Sequence, residues 1–120
     1  VAIIANGIMV PEAIEAGKAL AAEGISAMVI NMATIKPIDE KLVLEAAKKC
    51  GKIVTVEEHS IIGGLGEAVC AVLSENHPTP VKRIGVNDEF GHSGPAGELL
   101  KAFGLCSSNI VAQTKNLLGK

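Results

Sequence analysis

The stretch Ile53–Gly66, IVTVEEHSIIGGLG, decides the fold of this 120-residue chain. It opens with an apolar run rich in β-branched residues, as in a central strand of a parallel sheet. Three polar residues follow at the predicted carboxyl end of that strand: Glu57, Glu58 and His59. Three glycines then allow the backbone to turn sharply into a helix: Gly63, Gly64 and Gly66. This order predicts an α/β unit whose strand end lies where ligands and partners of open α/β sheets usually bind.

The rest of the chain repeats this strand–helix rhythm. Four strand-like runs are present: Val1–Ala5, Ser26–Asn31, Lys52–Val56 and Val81–Gly85. They begin 25 to 29 positions apart, which is the spacing of successive βα units. Helices are predicted at Pro11–Glu23, from an Asp39 N-cap to Cys50, at Leu65–Glu75, at Pro95–Phe103, and from a Ser107 or Ser108 cap to about Leu118. With right-handed crossovers, these elements predict a three-layer α/β/α, Rossmann-like fold with a mostly parallel sheet and helices on both faces.

Composition argues against several classes of protein. Hydrophobic residues make up 48% of the chain but aromatic ones only 2%, so the core is aliphatic and no stacking platform for nucleic-acid bases is expected. The net charge of −2, without a basic stretch, also disfavours a nucleic-acid partner. No apolar run approaches the length of a membrane span. The three cysteines show no CxxC spacing, which predicts a reducing compartment, the cytoplasm.

Two strand-to-helix turns could bind an anion through backbone N–H groups. At Asn6–Gly7 only one glycine of a GxGxxG fingerprint is present, so a simple tight turn is favoured. The Gly63–Gly66 turn resembles half of a phosphate cradle, but Val69 stands where the third glycine of the fingerprint would be. Close packing of the strand against the helix would explain these glycines without any ligand.

The polar tip and the histidines offer other chemistry. Glu57 and Glu58 beside His59 could tune a general acid or base, or they could cap helices and form contacts between subunits. Alternation along a strand sends the two glutamates to opposite sides, which favours the structural or interface role. The segment Gly91–Pro95 fails as a GxSxG hydrolase elbow because Pro95 replaces the last glycine. No histidine spacing typical of a metal site occurs, so no metal ligand is predicted.

Three longer motifs point to a known family: IVTVEEHSIIGGLGEAV at Ile53–Val69, INMATIKPID at Ile30–Asp39, and VKRIGVNDEFGHSGPAGELLKAFGL at Val81–Leu105. In order and spacing they resemble the C-terminal domain of thiamine-diphosphate enzymes of the transketolase type, and the resemblance covers essentially residues 1–118. It is nearest to the split transketolases. Asp88, Phe90 and the pair Ser93–Gly94 favour a transketolase over deoxyxylulose-phosphate synthases and 2-oxo-acid dehydrogenase beta subunits.

The resemblance implies transfer of a two-carbon ketol unit from a ketose phosphate to an aldose phosphate. Thiamine diphosphate and a divalent metal (Mg) would be held by other domains. The C-terminal domain is then expected to serve dimer and domain assembly, to hold no catalytic or cofactor-binding residue, and to be inactive alone. Its implied partners are the pyrimidine-binding and diphosphate-binding domains or subunit of the same enzyme, in a homodimer.

The residues expected near a contact or an anion site are Glu58, His59, Gly63, Gly64, Gly66, Asp88, His92 and Ser93. The chain is also expected to be one domain, a fragment of a longer polypeptide, with the first edge strand of the family's domain missing.

Alternatives of a different kind stay open. The chain could be a stand-alone ligand-binding or signalling module, although a phosphoacceptor module would need acidic residues where Ala5–Gly7 stands. It could also be an enzyme-derived domain that is used only for protein interaction.

Overall fold

The computed structural model describes residues 1–32, 38–60, 64–86 and 106–120, with the backbone alone at 58–60 and 86. One sheet of parallel strands has the order β2-β1-β3-β4, with β1 Ala2–Ala5, β2 Met28–Asn31, β3 Ile53–Ser60 and β4 Val81–Val86. The helices in these ranges are α1 Met9–Ala22, α2 Glu40–Cys50, α3 Leu65–Asn76 and α4 Ser107–Leu118. The predicted parallel α/β fold is confirmed, while the predicted helix Pro95–Phe103 lies outside the described residues.

Helices cover both faces of the sheet. α2 and α3 pack on the face that includes Ile4 and Ile53, and α1 and α4 pack on the opposite face, against Ile3 and Val54. Neighbouring residues of one strand thus enter different layers, as the alternation of side chains along a strand requires. β1 is apolar and wholly buried because a central parallel strand is covered on both faces. Within the described ranges, none of the helices has the length and apolar character needed to cross a membrane.

The ends of α1 and α2 follow local chemistry. Asp39 caps α2 by accepting a hydrogen bond from the backbone N–H of Leu42 at 3.1 Å, and Gly51 ends the helix with a φ of 78°. Both ends agree with the sequence. α1 begins at Met9, two residues before the predicted start, so Pro11 lies inside the first turn, where its missing N–H is tolerated.

The start of α4 differs from the prediction. The N-cap is Cys106 in extended conformation, not Ser107 or Ser108, and no side chain caps the helix. Contacts with other elements hold the C-terminal end of α4. The Lys52 ammonium donates to the carbonyl oxygen of Leu117 at 2.9 Å, near the negative end of the helix dipole. An ion pair at 2.7 Å also joins α4 to the end of α1, between Lys115 and Glu23.

β3 is longer than the apolar run predicts. The run ends at Val56, whereas the strand continues to Ser60. Ser60 lies opposite Val86 of β4, after an irregularity in the register, while β1 ends at Ala5, opposite Val56. A β-bulge lets a ladder continue past residues that break the hydrophobic pattern. The polar tip therefore belongs to the strand, on the side of β4.

Thr55 in β3 leads to a prediction about stability. Its side chain is fully buried, and in the described part of the chain its hydroxyl has no hydrogen-bond partner. Thr55→Val keeps the volume and removes a desolvated hydroxyl, so we expect the free energy of unfolding to rise by about 1 kcal/mol, measured by urea unfolding. The matched control is Thr114→Val, because the equally buried Thr114 hydroxyl donates to the carbonyl oxygen of Ile110 at 2.6 Å. The control should lower stability, and a Thr55→Val protein that is less stable than the wild type would contradict the prediction.

Candidate functional site

In the middle of the sheet β1 lies beside β3, and this is the topological switch point. The chain leaves β1 toward β2 on one side and leaves β3 toward β4 on the other. In open α/β sheets the carboxyl ends of the strands at such a point form the crevice where ligands bind. The ends that meet here are Ala5–Gly7 and Glu57–Ser60. Gly7 has a φ of 56°, and the carbonyl of Asn6 accepts from the N–H of Met9 at 3.2 Å, which confirms the tight turn predicted after β1.

Glu57 is the central side chain of this region. It is fully buried, on the face that α3 covers. The backbone N–H of Leu65 donates to its Oε1 at 2.9 Å, and that of Gly66 donates to its Oε2 at 2.7 Å. These are the first two N–H groups of α3, which can have no partner inside the helix. The carboxylate therefore caps α3 and lies at the positive end of the helix dipole.

The Glu57 carboxylate lies where an external anion would bind at this turn. A phosphate at a helix N-terminus uses the same backbone donors. Two of these donors already serve Glu57, and a second negative group beside a buried carboxylate would be repelled. The described part of the turn thus favours a structural role over a phosphate cradle.

Gly66 fits its position because it has no side chain. A Cβ at this residue would lie 2.8 Å from the Thr55 hydroxyl oxygen and 2.9 Å from Cδ of Arg83. Arg83 stands opposite Thr55 in the β3–β4 ladder, and its aliphatic stem covers the first turn of α3. The glycine is needed for the close approach of α3 to the two strands.

A second feature near α3 is an open cleft of about 260 Å³ beside the start of β4. Its lining consists of Cys70, Leu73, Ser74, Pro78, Thr79 and Val81. Burial raises the pKa of the Cys70 thiol; the charge of Arg83 lowers this pKa, and that of Glu67 raises it further. A thiol with a raised pKa is mostly protonated at neutral pH and reacts weakly, so Cys70 acts here as a small apolar side chain.

The described residues include only part of the predicted site. Glu58 and His59 lie in the last residues of β3, where the backbone alone is described. Gly64 is the N-cap of α3, and Gly66 is the second residue of the helix. The other predicted residues lie outside the described ranges: Gly63, Asp88, His92 and Ser93.

Glu57 is not among the site residues that the sequence predicts, although it belongs to the polar tip of β3. The signal that could have found it is the alternation of the strand, which puts Glu57 on the same side as Ile53 and Thr55. That side faces the layer of the next helix, whose first N–H groups need acceptors.

These features define a parallel α/β domain with a carboxylate-capped helix at its switch point. A family model for "Transketolase, C-terminal domain" matches residues 1–110. A solved structure, "Split gene transketolase, inactive beta4 tetramer", aligns with a TM-score of 0.94 and 52% sequence identity, covering 98% of this chain and 39% of that one. The chain belongs to the transketolase C-terminal domain family.

Two curated relatives show how broad this family is. The 6-deoxy-6-sulfo-D-fructose transketolase subunit SqwH of a Clostridium species is 50% identical over 111 residues, which are 92% of this chain and 34% of that protein. The 1-deoxy-D-xylulose-5-phosphate synthase 1 of Geobacter sulfurreducens is 42% identical over 120 residues, 98% of this chain and 19% of that protein. This chain thus spans about a third or less of these relatives. Their names differ in reaction and substrate, so membership of the family does not define the substrate.

The described residues do not fit the cofactor of this enzyme family. Thiamine diphosphate needs a divalent metal to hold its diphosphate. In the parts of the chain that the structure describes, no three His, Cys, Asp or Glu side chains come together as metal ligands. Both oxygens of the buried Glu57 are bonded to backbone N–H groups.

The Glu57 cap leads to a prediction about stability. Glu57→Gln keeps the size of the side chain but turns an amide NH2 group toward a backbone N–H, which leaves a buried donor unpaired. We expect the free energy of unfolding to fall by about 2–3 kcal/mol in urea unfolding. The matched control is Asp39→Asn at the exposed cap of α2, where asparagine caps as well as aspartate. Equal losses in the two variants would contradict a special role of the buried carboxylate.

The contact at Gly66 leads to a double-mutant cycle. Gly66→Ala should cost about 1–3 kcal/mol of unfolding free energy, because the new Cβ meets the Thr55 side chain. In a Thr55→Ala background that contact is gone and the loss should shrink, whereas Thr55→Val keeps the branch and should give no relief. Urea unfolding of the variants gives the coupling energy. Additive losses in the Thr55→Ala background would show that the crowding does not matter.

Proposed function

We propose that this chain is the C-terminal domain of a split-type transketolase, which transfers a two-carbon ketol unit from a ketose phosphate to an aldose phosphate. The observation that carries the proposal is the agreement with the split gene transketolase in fold and sequence over nearly the whole chain. Thiamine diphosphate and Mg would be held by the other domains of the enzyme. In the sulfofructose transketolase subunit, the part outside the matched region is about twice as long as the matched region.

The role we propose for this domain is assembly. Its partners are the pyrimidine-binding and diphosphate-binding domains or subunit of the same enzyme, in a cytoplasmic homodimer. Since the first N–H groups of α3 already serve Glu57, a contact surface is a better interpretation of the neighbouring turn than an anion site. We assign to this surface the residues expected from the sequence except Gly66, which is buried against β3 and β4: Glu58, His59, Gly63, Gly64, Asp88, His92 and Ser93. The domain alone should be inactive.

A second candidate function is that of a deoxyxylulose-phosphate synthase. It is supported by the relative from Geobacter sulfurreducens, which matches almost the whole chain. Transketolase is preferred because identity to both the split gene transketolase and the sulfofructose transketolase subunit is higher than identity to this synthase.

The test is an activity comparison on the full parent enzyme, supplied with thiamine diphosphate and Mg. One reaction offers ketose donors, including xylulose 5-phosphate and the sulfofructose of the relative, with ribose 5-phosphate or glyceraldehyde 3-phosphate as acceptors. The other offers pyruvate with glyceraldehyde 3-phosphate and follows release of carbon dioxide. We expect ketol transfer in the first and no turnover in the second, and no turnover in either by residues 1–120 alone.

Each other result has a clear meaning. Turnover of pyruvate without ketol transfer would replace the transketolase by the synthase. Ketol transfer by residues 1–120 alone would contradict the assembly role. A parent enzyme that turns over neither set of substrates would overturn the proposed function.

A further inference from the structure

The junction of β3 with α3 combines two features that cost stability with one contact that tolerates no larger side chain. Glu57 is a fully buried carboxylate, Thr55 has a fully buried hydroxyl without a partner among the described residues, and Gly66 leaves no room for a Cβ. Burying a charge requires desolvation that hydrogen bonds only partly repay, and an apolar side chain of similar volume is often no less stabilising. An unpaired buried hydroxyl carries a further cost.

The other described helix starts show that capping alone does not require such an arrangement. α2 begins with an exposed aspartate, Asp39, which makes a single hydrogen bond at 3.1 Å. α1 and α4 begin without any side-chain cap. The start of α3 therefore carries a buried, doubly hydrogen-bonded cap that the starts of the other described helices lack. Local features that cost stability concentrate where a geometry matters for function.

The geometry that Glu57 defines is that of the end of β3. Its backbone follows Val56, the last β3 residue paired with β1, while its side chain is bonded to α3. Farther along, Ser60 pairs with Val86 of β4. The segment Glu57–Ser60 is thus held by α3 through the carboxylate and by β4 through the ladder, and it extends beyond β1 at the switch point of the sheet.

We propose that Glu57 is a positioning residue of the parent enzyme, whose two hydrogen bonds to α3 define where the end of β3 meets the remaining domains. The inference deepens the proposed function and rests on it. Glu57 is buried and touches no partner itself, so it acts through the strand segment that follows it. Its loss weakens assembly and leaves the chemistry of the assembled enzyme unchanged.

The experiment compares variants of the full parent enzyme, in which assembly is measured by sedimentation velocity over a range of concentrations. Glu57→Gln is expected to raise the dissociation constant of assembly at least tenfold. At saturating protein and thiamine diphosphate, kcat should stay within twofold of the wild type. Circular dichroism at the assay temperature shows whether each variant is folded.

Two controls separate positioning from stability. Val72→Ala removes buried apolar volume from α3 without touching the carboxylate, so it lowers stability at the same helix. Asp39→Asn alters the exposed cap of α2. Both should leave the dissociation constant within twofold of the wild type. If Glu57→Gln weakens assembly no more than Val72→Ala does, the positioning role is overturned.

If Glu57→Gln does not fold, a second variant tests whether the junction of β3 with α3 controls assembly. Gly66→Ala keeps the carboxylate but shifts the first turn of α3, and it should weaken assembly at least threefold. Unchanged assembly of a folded Gly66→Ala enzyme would then overturn the proposal. The assembly readout does not depend on activity. Wild-type enzyme that assembles but shows no ketol transfer therefore contradicts the proposed function and leaves the positioning result standing.

Discussion

The buried carboxylate of Glu57, bonded to the first two N–H groups of α3, is the interaction on which the rest of this structure depends. A strand and the helix that follows it are usually joined only by the chain and by apolar packing. Here a charged side chain on the strand defines the residue at which the helix begins and its distance from the strand. Because both oxygens of the carboxylate are used, the helix cannot slide or rotate without leaving a buried charge unsatisfied. The register between sheet and helix is thus set by polar geometry as well as by shape.

Several other features become understandable from this constraint. α3 must approach β3 closely for its N–H groups to reach the carboxylate, and this leaves no space for a side chain at Gly66. The same approach encloses the Thr55 hydroxyl and brings the stem of Arg83 over the helix. The charged part of Arg83 remains near the surface, where it counteracts the effect of burial on the Cys70 thiol.

The two outer strands of the described sheet differ in chemistry. β4 carries the exposed cations Lys82 and Arg83, which discourage pairing with another strand, whereas β2 is a short strand, MVIN, without a charge. The carboxyl side of the sheet is uneven as well, because β3 extends past β1. For the assembly role proposed for this domain, an uneven end of the sheet offers a more specific surface than a flat one.

Most of the fold could be predicted from the sequence because it is encoded in local patterns. The β-branched runs, the spacing of the βα units, the Asp39 cap and the Gly51 stop each act over a few residues, and the structure agrees with them. The predicted element boundaries were wrong at the end of β3 and at the start of α4. β3 extends to Ser60 because β4 supplies a ladder beyond the apolar run. α4 begins after Cys106 without a serine cap, and its described contacts with Lys52 and with the end of α1 lie at the opposite end of the helix.

The candidate site divides in the same way. By itself, the sequence determined the class of fold, the polar residues at the end of β3, the presence of glycines before α3 and the resemblance to transketolase C-terminal domains. Only the tertiary structure decided that Glu57 belongs to α3, since a hydrogen bond between a strand side chain and a helix backbone depends on the distance between two elements. Only the tertiary structure also shows why residue 66 is a glycine. The atoms that a Cβ would meet there belong to Thr55 of β3 and Arg83 of β4.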